Sequence, residues 1–253
     1  MIYYFKKLIQ KIFDILIRKF HRSNFSSNST SIFLENCIAF IRKKKIKFQY
    51  KKKENIFTVT EGNITLNFFN KIRGINLYRD GLINRGNFIF SSYCLNQINF
   101  SQNDIVIDCG ANFGDLMLKL SNYIKPSNYI AIEPNPDCFY ILKKNVNNKS
   151  VFINKALGNI NKTLPFYVST EEADSSLVKP SYFTNEIKVS VVRLDSLIKE
   201  LNINKIKLLK IEAEGYEPEI LEGLGNSINI CEYIAVDGGY ERGEKQEQTF
   251  TTI

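Results

Sequence analysis

Histidine is almost missing from this chain: the single one, His21, lies near the amino terminus, well before the β/α repeats begin. A mechanism that needs an imidazole base or a histidine-ligated metal in the main body is therefore excluded. Cysteine is thinly spread. Cys37, Cys94, Cys109, Cys138 and Cys231 form no C-x-x-C pair and show no metal-ligand spacing. An odd set of isolated thiols argues against a disulfide framework and for a reducing compartment. Long apolar runs are lacking too. Charges interrupt residues 2–20 every few positions, and no small-residue cleavage site follows, so this stretch is neither a membrane span nor a secretory signal.

What is present is enough for one substantial core: 253 residues, 44% of them hydrophobic, predict one main domain with an extension. The net charge of +8 is unevenly placed. Residues 1–53 hold fourteen of the 34 Lys and Arg but only Asp14 and Glu35 of the 26 acidic residues, so the rest of the chain is net acidic. Within 2–20, Phe5, Leu8, Ile9, Ile12, Phe13, Leu16, Ile17 and Phe20 fall at helical spacing opposite a basic face. Such a basic amphipathic helix suits an anionic membrane surface, or packs on its own domain or on a partner. Residues 22–31 read as a polar linker and Ile32–Ile41 as a short helix. RKKKIKFQYKKK (42–53) reads as a solvated basic face, a nucleic-acid patch being the alternative. From Asn55 the pattern alternates, IFTV then ITLNFF about Glu61-Gly62-Asn63, which predicts a β-hairpin, and 74–95 reads as helical. The expected divisions are 1–21, 22–54, 55–103 and 104–253.

The stretch that organises the remainder is IVIDCGANFG, 105–114. An apolar strand ends in Asp108; Gly110 and Gly114 follow; then Leu116, Leu120 and Ile124 mark one face of a helix over 114–124. Strand, glycine turn and helix open a nucleotide-binding doubly wound sheet, although an ordinary buried strand and tight turn read the same way in isolation. Asn112 stands where a dinucleotide fingerprint has its second glycine. Asp108 would repel a diphosphate and suits a cationic, amino-acid-bearing cofactor such as S-adenosylmethionine better than NAD. A second apolar strand, 129–132, ends in Glu133, about 20 residues past the loop, the interval at which such folds place a ribose-binding carboxylate.

The β/α rhythm continues. Asn135-Pro136 starts a helix over 136–147, and strand 151–155 is followed by Ala156-Leu157-Gly158. Strands are expected at 164–168 and 189–194, with Asp195 as N-cap of SLIKEL. Strand 207–211, helix 218–224 and strand 233–236 close the series. Taken together, VIDCGANFGDLMLKL, IAIEPNPDCFYILKKNV, INKALGN, VVRLDSLI and IKLLKIEAEGYEPEILEGL resemble the FkbM family of S-adenosylmethionine-dependent methyltransferases, from about Asp104 to Arg242. The tail IAVDGGYERGEKQEQTF is similar to one branch of it. The resemblance implies a Rossmann-like, mostly parallel α/β sheet. The family fold usually ends in a further helix and an antiparallel hairpin. The sequence stops soon after the fifth strand, so a sheet lacking that hairpin is expected.

The resemblance also implies roles. Asp108, Gly110, Asn112 and Gly114 would hold the methionine portion of S-adenosylmethionine, Glu133 the ribose, and the backbone at Ala156 and Leu157 the adenine. Ser175 and Ser176 match a serine pair of the family, and Arg85 and Tyr93 are candidates for a cover over the cleft. A hydroxyl acceptor must lose its proton near the transition state, to a base or under the influence of a divalent metal. Without histidine, Glu212 and Glu214 of KIEAEG are the first candidate bases, then Asp237. Glu212 stands where the family usually has aspartate; the bland roles are capping for Glu214 and a turn for Asp237. Tyr240, Glu241 and Arg242 are placed to face an acceptor. The expected activity is O-methylation of a sugar, glycan or small metabolite. The expected location is cytoplasmic, with peripheral membrane contact through residues 1–20. Nucleic-acid methylation is disfavoured because EAEGYEP replaces the D/N-P-P-Y-type sequence of base-amino methyltransferases. A nicotinamide oxidoreductase is disfavoured by Asn112 in the place of a second glycine. An inactive, truncated cofactor fold that serves as a binding module is the non-enzymatic possibility.

Overall fold

The structure is a computed structural model that describes residues 27–169 and 175–249. The amphipathic segment expected over 2–20 lies outside the described residues. The chain divides into two compact units, Met1–Leu82 and Ile83–Ile253. No helix among the described residues is long and apolar enough to cross a membrane.

In the first unit, α1 (Asn28–Ile41) begins four residues ahead of the expected Ile32. Ser27 explains the difference: its Oγ accepts from the Thr30 amide at 3.1 Å and so caps the helix. An antiparallel meander follows, β1 (Ile46–Lys51), β2 (Ile56–Glu61) and β3 (Ile64–Phe68). The expected hairpin is β2–β3. The basic run joins it as a third strand, because its alternation buries Ile46 and Phe48 and leaves Lys47 and Gln49 in solvent. Asn36 of α1 satisfies both backbone groups of Phe48, accepting at 2.8 Å and donating at 2.9 Å, which occupies the open edge of β1. After β3 comes α2 (Lys71–Tyr78), whose Tyr78 ring lies 5.6 Å from that of Phe68.

The second unit is entered through α3 (Leu82–Ser92), which opens at the boundary. The order is then β4 (Val106–Cys109), α4 (Met117–Leu120), β5 (Tyr129–Ile132), α5 (Pro136–Asn145) and β6 (Val151–Ile153). Next come β7 (Ala156–Gly158), β8 (Lys162–Val168), β9 (Asn185–Arg193) and α6 (Leu194–Glu200). Last are β10 (Ile206–Ile211), α7 (Glu217–Leu224) and β11 (Cys231–Val236). Five strands form one parallel sheet in the order β11-β10-β4-β5-β6. Alternate residues of each strand face opposite sides. Val106, Leu208 and Tyr129 pack with Phe90, Leu116, Leu120 and Leu142 on one side. Ile107, Ile130 and Leu209 pack with Leu194, Leu197, Ile220 and Leu224 on the other. A sheet covered by helices on both faces needs mostly apolar, buried strands, and β4 and β5 are buried along their whole length, Asp108 being the charged residue among them. The fold is thus the doubly wound, Rossmann-like α/β arrangement expected. The chain runs outward from β4 through β6 and returns to β10 on the other flank, so the strand order reverses between β4 and β10. A crevice opens at such a point, outside the carboxyl ends of the strands.

Two local expectations are corrected, and one segment is given its sheet. The helix after β4 is a single α-turn, α4, rather than a regular helix over 114–124. Several amides around it bond only three residues back, as Leu118 does to Asp115 and Asn122 to Lys119. The expected face, Leu116, Leu120 and Ile124, is nonetheless buried. Ala156–Gly158 belongs to a separate small sheet, β7-β9-β8. Asp195 is not an N-cap: it sits in the first turn of α6 and receives the Arg193 guanidinium at 3.1 and 2.9 Å.

Candidate functional site

The parallel register between the central strands sets Lys210 of β10 beside Asp108 of β4. Both are buried, and the Lys210 Nζ lies 3.1 Å from Asp108 Oδ1. The other Asp108 oxygen accepts from the buried Tyr129 hydroxyl at 2.6 Å. Glu212 is one side-chain period further along the same face. Its Oε2 lies 2.7 Å from the same ammonium, yet its side chain is 40% exposed where that of Asp108 is 1%. The ring of Tyr93 approaches Lys210 at 5.1 Å, and its hydroxyl reaches towards Asp237 Oδ2 at 3.5 Å. Arg85 is engaged with Asp115 at 2.7 Å and adds positive charge near Glu212. Two basic groups, two tyrosines and several carboxylates thus meet at the carboxyl ends of β4, β10 and β11.

Burial alone would lower the Lys210 pKa, but Asp108 and Glu212 hold it well above the ordinary ammonium value. Burial likewise pushes the Glu212 carboxyl up. Lys210's charge and hydrogen bonds from Lys210 and Tyr93 outweigh that, and the pKa falls below the ordinary 4.5. The Tyr93 phenol is pushed well up, chiefly by burial, with Glu212 and Asp237 adding to it against Lys210. At neutral pH this is an ammonium between two carboxylates, one sealed and one half open.

Lys210 is the residue that sequence reasoning missed. A lysine inside the apolar run IKLLKI was the available signal, since a buried ammonium demands a partner. Its position alters the meaning of Asp108, whose carboxylate is not an open counter-charge for a cationic ligand but is committed to Lys210 and Tyr129.

The loop after β4 is built on left-handed residues: Gly110 at φ +75, Asn112 at +48 and Gly114 at +88. The Gly110 and Ala111 amides both donate to the Ile132 carbonyl at 3.0 Å. Glu133 then accepts from the Asn112 amide at 2.8 Å and the Asn135 amide at 2.9 Å. This carboxylate therefore fixes the loop against the end of β5. A Cβ on Gly110 would lie 2.0 Å from the Glu212 carbonyl, and one on Gly114 would lie 2.5 Å from Val146 Cγ2. Both glycines are demanded by the protein's own close packing. Asn112 Oδ1 is buried and has no hydrogen-bond partner, a state that ordinarily calls for a ligand or water.

Ala156 and Leu157 are buried in β7, paired in register with Val191 and Val192. Glu214 holds φ +52, and its carbonyl accepts from the buried Ser176 hydroxyl at 2.7 Å. Capping of this turn falls to Glu217, which accepts from the Ala213 amide at 2.6 Å and the Gly215 amide at 2.9 Å. Ser175 instead accepts from the Ser169 amide at 3.0 Å. The serine pair is thus tied to two places, Ser176 to the Glu214 turn and Ser175 to Ser169. Asp237 ends β11, its amide donating to the Ile211 carbonyl at 2.9 Å. Arg242 grips Glu219 through two contacts, at 3.0 and 2.5 Å, and also donates to the Gly215 carbonyl. Beside Glu214 lies a cleft of about 240 Å³, lined in part by Ser169, Ser176, Tyr182, Tyr240 and Glu241. Among the described residues, no three His, Cys, Asp or Glu side chains are gathered as a metal site.

The structure thus brings Asp108, Glu212 and Asp237 together around Lys210 and Tyr93, and it sets Glu133 against the glycine loop. Glu214, Tyr240 and Glu241 border the separate cleft.

Comparison with known proteins converges on one family. The Methyltransferase FkbM domain matches residues 108–250. Methyltransferase 1 of Beauveria bassiana is 26% identical over 160 residues, covering 54% of this chain and 64% of that protein. Methyltransferase sdnD of Sordaria araneosa is 26% identical over 176 residues, 54% of this chain and 66% of its own length. Hexuronic acid methyltransferase AglP of Haloferax volcanii is 24% identical over 145 residues, 54% of this chain and 56% of its own length. The chain spans less than two thirds of each of these relatives. The ordered carboxylates at the strand ends and the glycine loop lie at or within the matched residues: this chain belongs to the FkbM methyltransferase family.

Proposed function

We propose that this chain transfers a methyl group from S-adenosylmethionine to a hydroxyl of a sugar, glycan or other small metabolite. The observation that carries the reading is Glu212, a half-open carboxylate held ionised by a buried lysine at the reversal point of the sheet. The residues present fit the donor. The unpartnered Asn112 Oδ1 is an acceptor suited to an ammonium or N–H group, and it sits on the loop where the methionine portion would be held. In this reading Gly110 and Gly114 shape that loop, Asp108 acts behind it through Lys210, Glu133 lies on the ribose side, and the Ala156–Leu157 backbone lies on the adenine side. When bound, S-adenosylmethionine supplies an electrophilic methyl group on a sulfonium.

The protein's part is positioning and proton removal. Well-aligned reactants gain about 7–11 kcal/mol from orientation. Glu212 accepts the hydrogen bond of the acceptor hydroxyl and then its proton. A carboxylate of depressed pKa suffices, because a hydroxyl oxygen that is being alkylated becomes strongly acidic. Lys210 keeps Glu212 charged and aimed, and Asp237 and Glu214 are the next carboxylates available to an acceptor.

Calorimetric titration of the chain with S-adenosylmethionine and, separately, with NAD tests this reading. Saturable binding of the former alone is expected, weakened by Asn112→Gly. Binding of NAD alone, or of neither by a cooperatively folded sample, would overturn it.

A further inference from the structure

In the first unit, α1 has two apolar faces where the fold uses one. Ile32, Ile38 and Ala39 are buried on the inner face, together with Glu35. On the outer face Phe33, Phe40 and Ile41 stand 71%, 85% and 73% exposed. Phe33 and Phe40 are seven residues apart, about two helical turns, so they share one stripe, with the partly buried Cys37 between them and Ile41 at its side. A single exposed apolar residue needs no explanation, but several on one stripe of a helix mark an interaction surface.

The chain turns directly from that stripe into its most basic run. Residues 42–53 hold eight Lys and Arg and no Asp or Glu. Backbone bonds fix the corner: Arg42 N donates to Ile38 O at 2.9 Å, Lys43 N to Phe40 O at 3.0 Å and Lys44 N to Ala39 O at 2.8 Å. Lys43 and Lys45 are exposed on it, while Lys44 pairs with Asp80 at 3.2 Å. This mixture narrows the choice of occupant. The core of a protein interface is depleted in lysine, and a second copy docked about a two-fold axis would bring the same lysine run against itself. A nucleic acid would answer the lysines but leave Ile41 and the phenyl stripe in water. An anionic lipid surface takes both, because apolar side chains enter the acyl boundary while ammonium groups stay at the level of the headgroups.

We propose that this corner, Phe33, Phe40 and Ile41 with Lys43 and Lys45, is a docking surface for an anionic lipid membrane. The two rings and Ile41 enter the boundary between headgroups and acyl chains. The lysine stems lie along it and their ammonium groups meet the lipid anions, with the rest of the basic run adding to the attraction. The surface is separate from residues 1–20, and it does not depend on the methyl-transfer reading: it brings the chain to a membrane whatever the acceptor is.

Co-sedimentation of the full chain with phosphatidylcholine vesicles, with and without phosphatidylserine, tests this in the absence of donor and acceptor. Binding to the anionic vesicles should be at least about tenfold tighter than to the neutral ones, and should weaken as salt rises. Phe33→Ala combined with Phe40→Ala should weaken it at least about fivefold. The urea midpoint should stay unchanged, since both rings are exposed. Lys43→Gln combined with Lys45→Gln should flatten the salt dependence. The sequence has no tryptophan, so Phe40→Trp supplies a single reporter, whose emission should shift to the blue on anionic vesicles and be quenched by brominated lipid. Residues 1–20 stay unaltered in every variant, so vesicle binding indifferent to the Phe and Lys changes would place the contact elsewhere and overturn the proposal. So would no vesicle binding, equal binding to neutral vesicles, or a reporter that stays in water. Oligonucleotide binding tighter than vesicle binding, or a dimer that the two Phe changes dissociate, would give the surface to another occupant and overturn it as well.

Discussion

The carboxyl ends of the first and fourth core strands each bring up a carboxylate, and both carboxylates reach the ammonium of Lys210, Asp108 at 3.1 Å and Glu212 at 2.7 Å. Their surroundings differ. Asp108 is sealed, with its second oxygen bound to the Tyr129 hydroxyl. Glu212 stands beyond the last ladder position, half open to solvent, with Tyr93 and Asp237 beside it. The same kind of group, once inside the ladder and once just beyond it, therefore stands in two different settings around one lysine. The sealed carboxylate keeps a buried lysine charged and fixed. The open one uses that lysine to remain ionised while facing outward. A carboxylate at a strand end identifies a site only when its burial is known.

Four changes would break or sharpen this contrast, the most severe first. Asp108→Ala leaves the Lys210 ammonium with Glu212 alone and the Tyr129 hydroxyl without its acceptor. Breaking a buried pair of this kind costs about 3–5 kcal/mol, which should appear as a large drop in the urea midpoint. A midpoint close to that of the parent would mean that Asp108 is no structural partner. Glu212→Gln should show the opposite balance. Stability changes by less than about 1 kcal/mol, as for a partly exposed pair, while methyl transfer falls about 10²-fold or more, as for a lost general base. The S-adenosylmethionine dissociation constant should stay unchanged. If Glu212→Gln lowers stability as much as Asp108→Ala does, the division of labour is wrong.

The contrast was half legible in the sequence. Apolar runs ending in Asp108, Glu133, Glu212 and Asp237 announced both the doubly wound sheet and the edge of it that would carry chemistry, because parallel buried strands are mostly apolar and ligands bind outside their carboxyl ends. Which carboxylate was sealed depended on Lys210, 102 residues from Asp108 and brought to it only by the register of β4 and β10. Such a pairing is a long-range fact with no local signature. The glycine turn was legible, but the atoms that crowd Gly110 and Gly114 are the Glu212 carbonyl and Val146 rather than a ligand. The basic run at 42–53 was legible as a solvated face but not as a strand. Its lysines are the solvent side of a strand whose buried side, Ile46 and Phe48, carries the fold.

The third change concerns the loop itself. Asn112 adopts φ +48 and carries the unpartnered Oδ1. Glycine accepts that backbone conformation without strain, so Asn112→Gly should leave the thermal midpoint unchanged or slightly raised. Donor affinity should fall about tenfold, the effect of losing one hydrogen bond to a charged or polar ligand group. Calorimetry of the variant beside its melting curve checks both. A lowered midpoint with unaltered affinity would return Asn112 to a purely architectural role.

The smallest effect is on acid stability, and its sign follows from the open carboxylate. Burial raises the Glu212 pKa, but Lys210 and its hydrogen bond, with that of Tyr93, bring it below 4.5 in the folded chain. Between the folded and unfolded values the unfolded state binds more protons, so stability increases with pH through that window. The Glu212 contribution is complete above about 4.5 and is lost as pH falls through the folded value. Thermal midpoints of the parent and of Glu212→Gln should therefore run parallel from neutrality down to about pH 5 and converge below it. Because the side chain is half exposed, solvent screens the pair and the convergence is modest. Curves that stay parallel through the acid limb would mean that Lys210 serves Asp108 alone, and that Glu212 faces the cleft without its help.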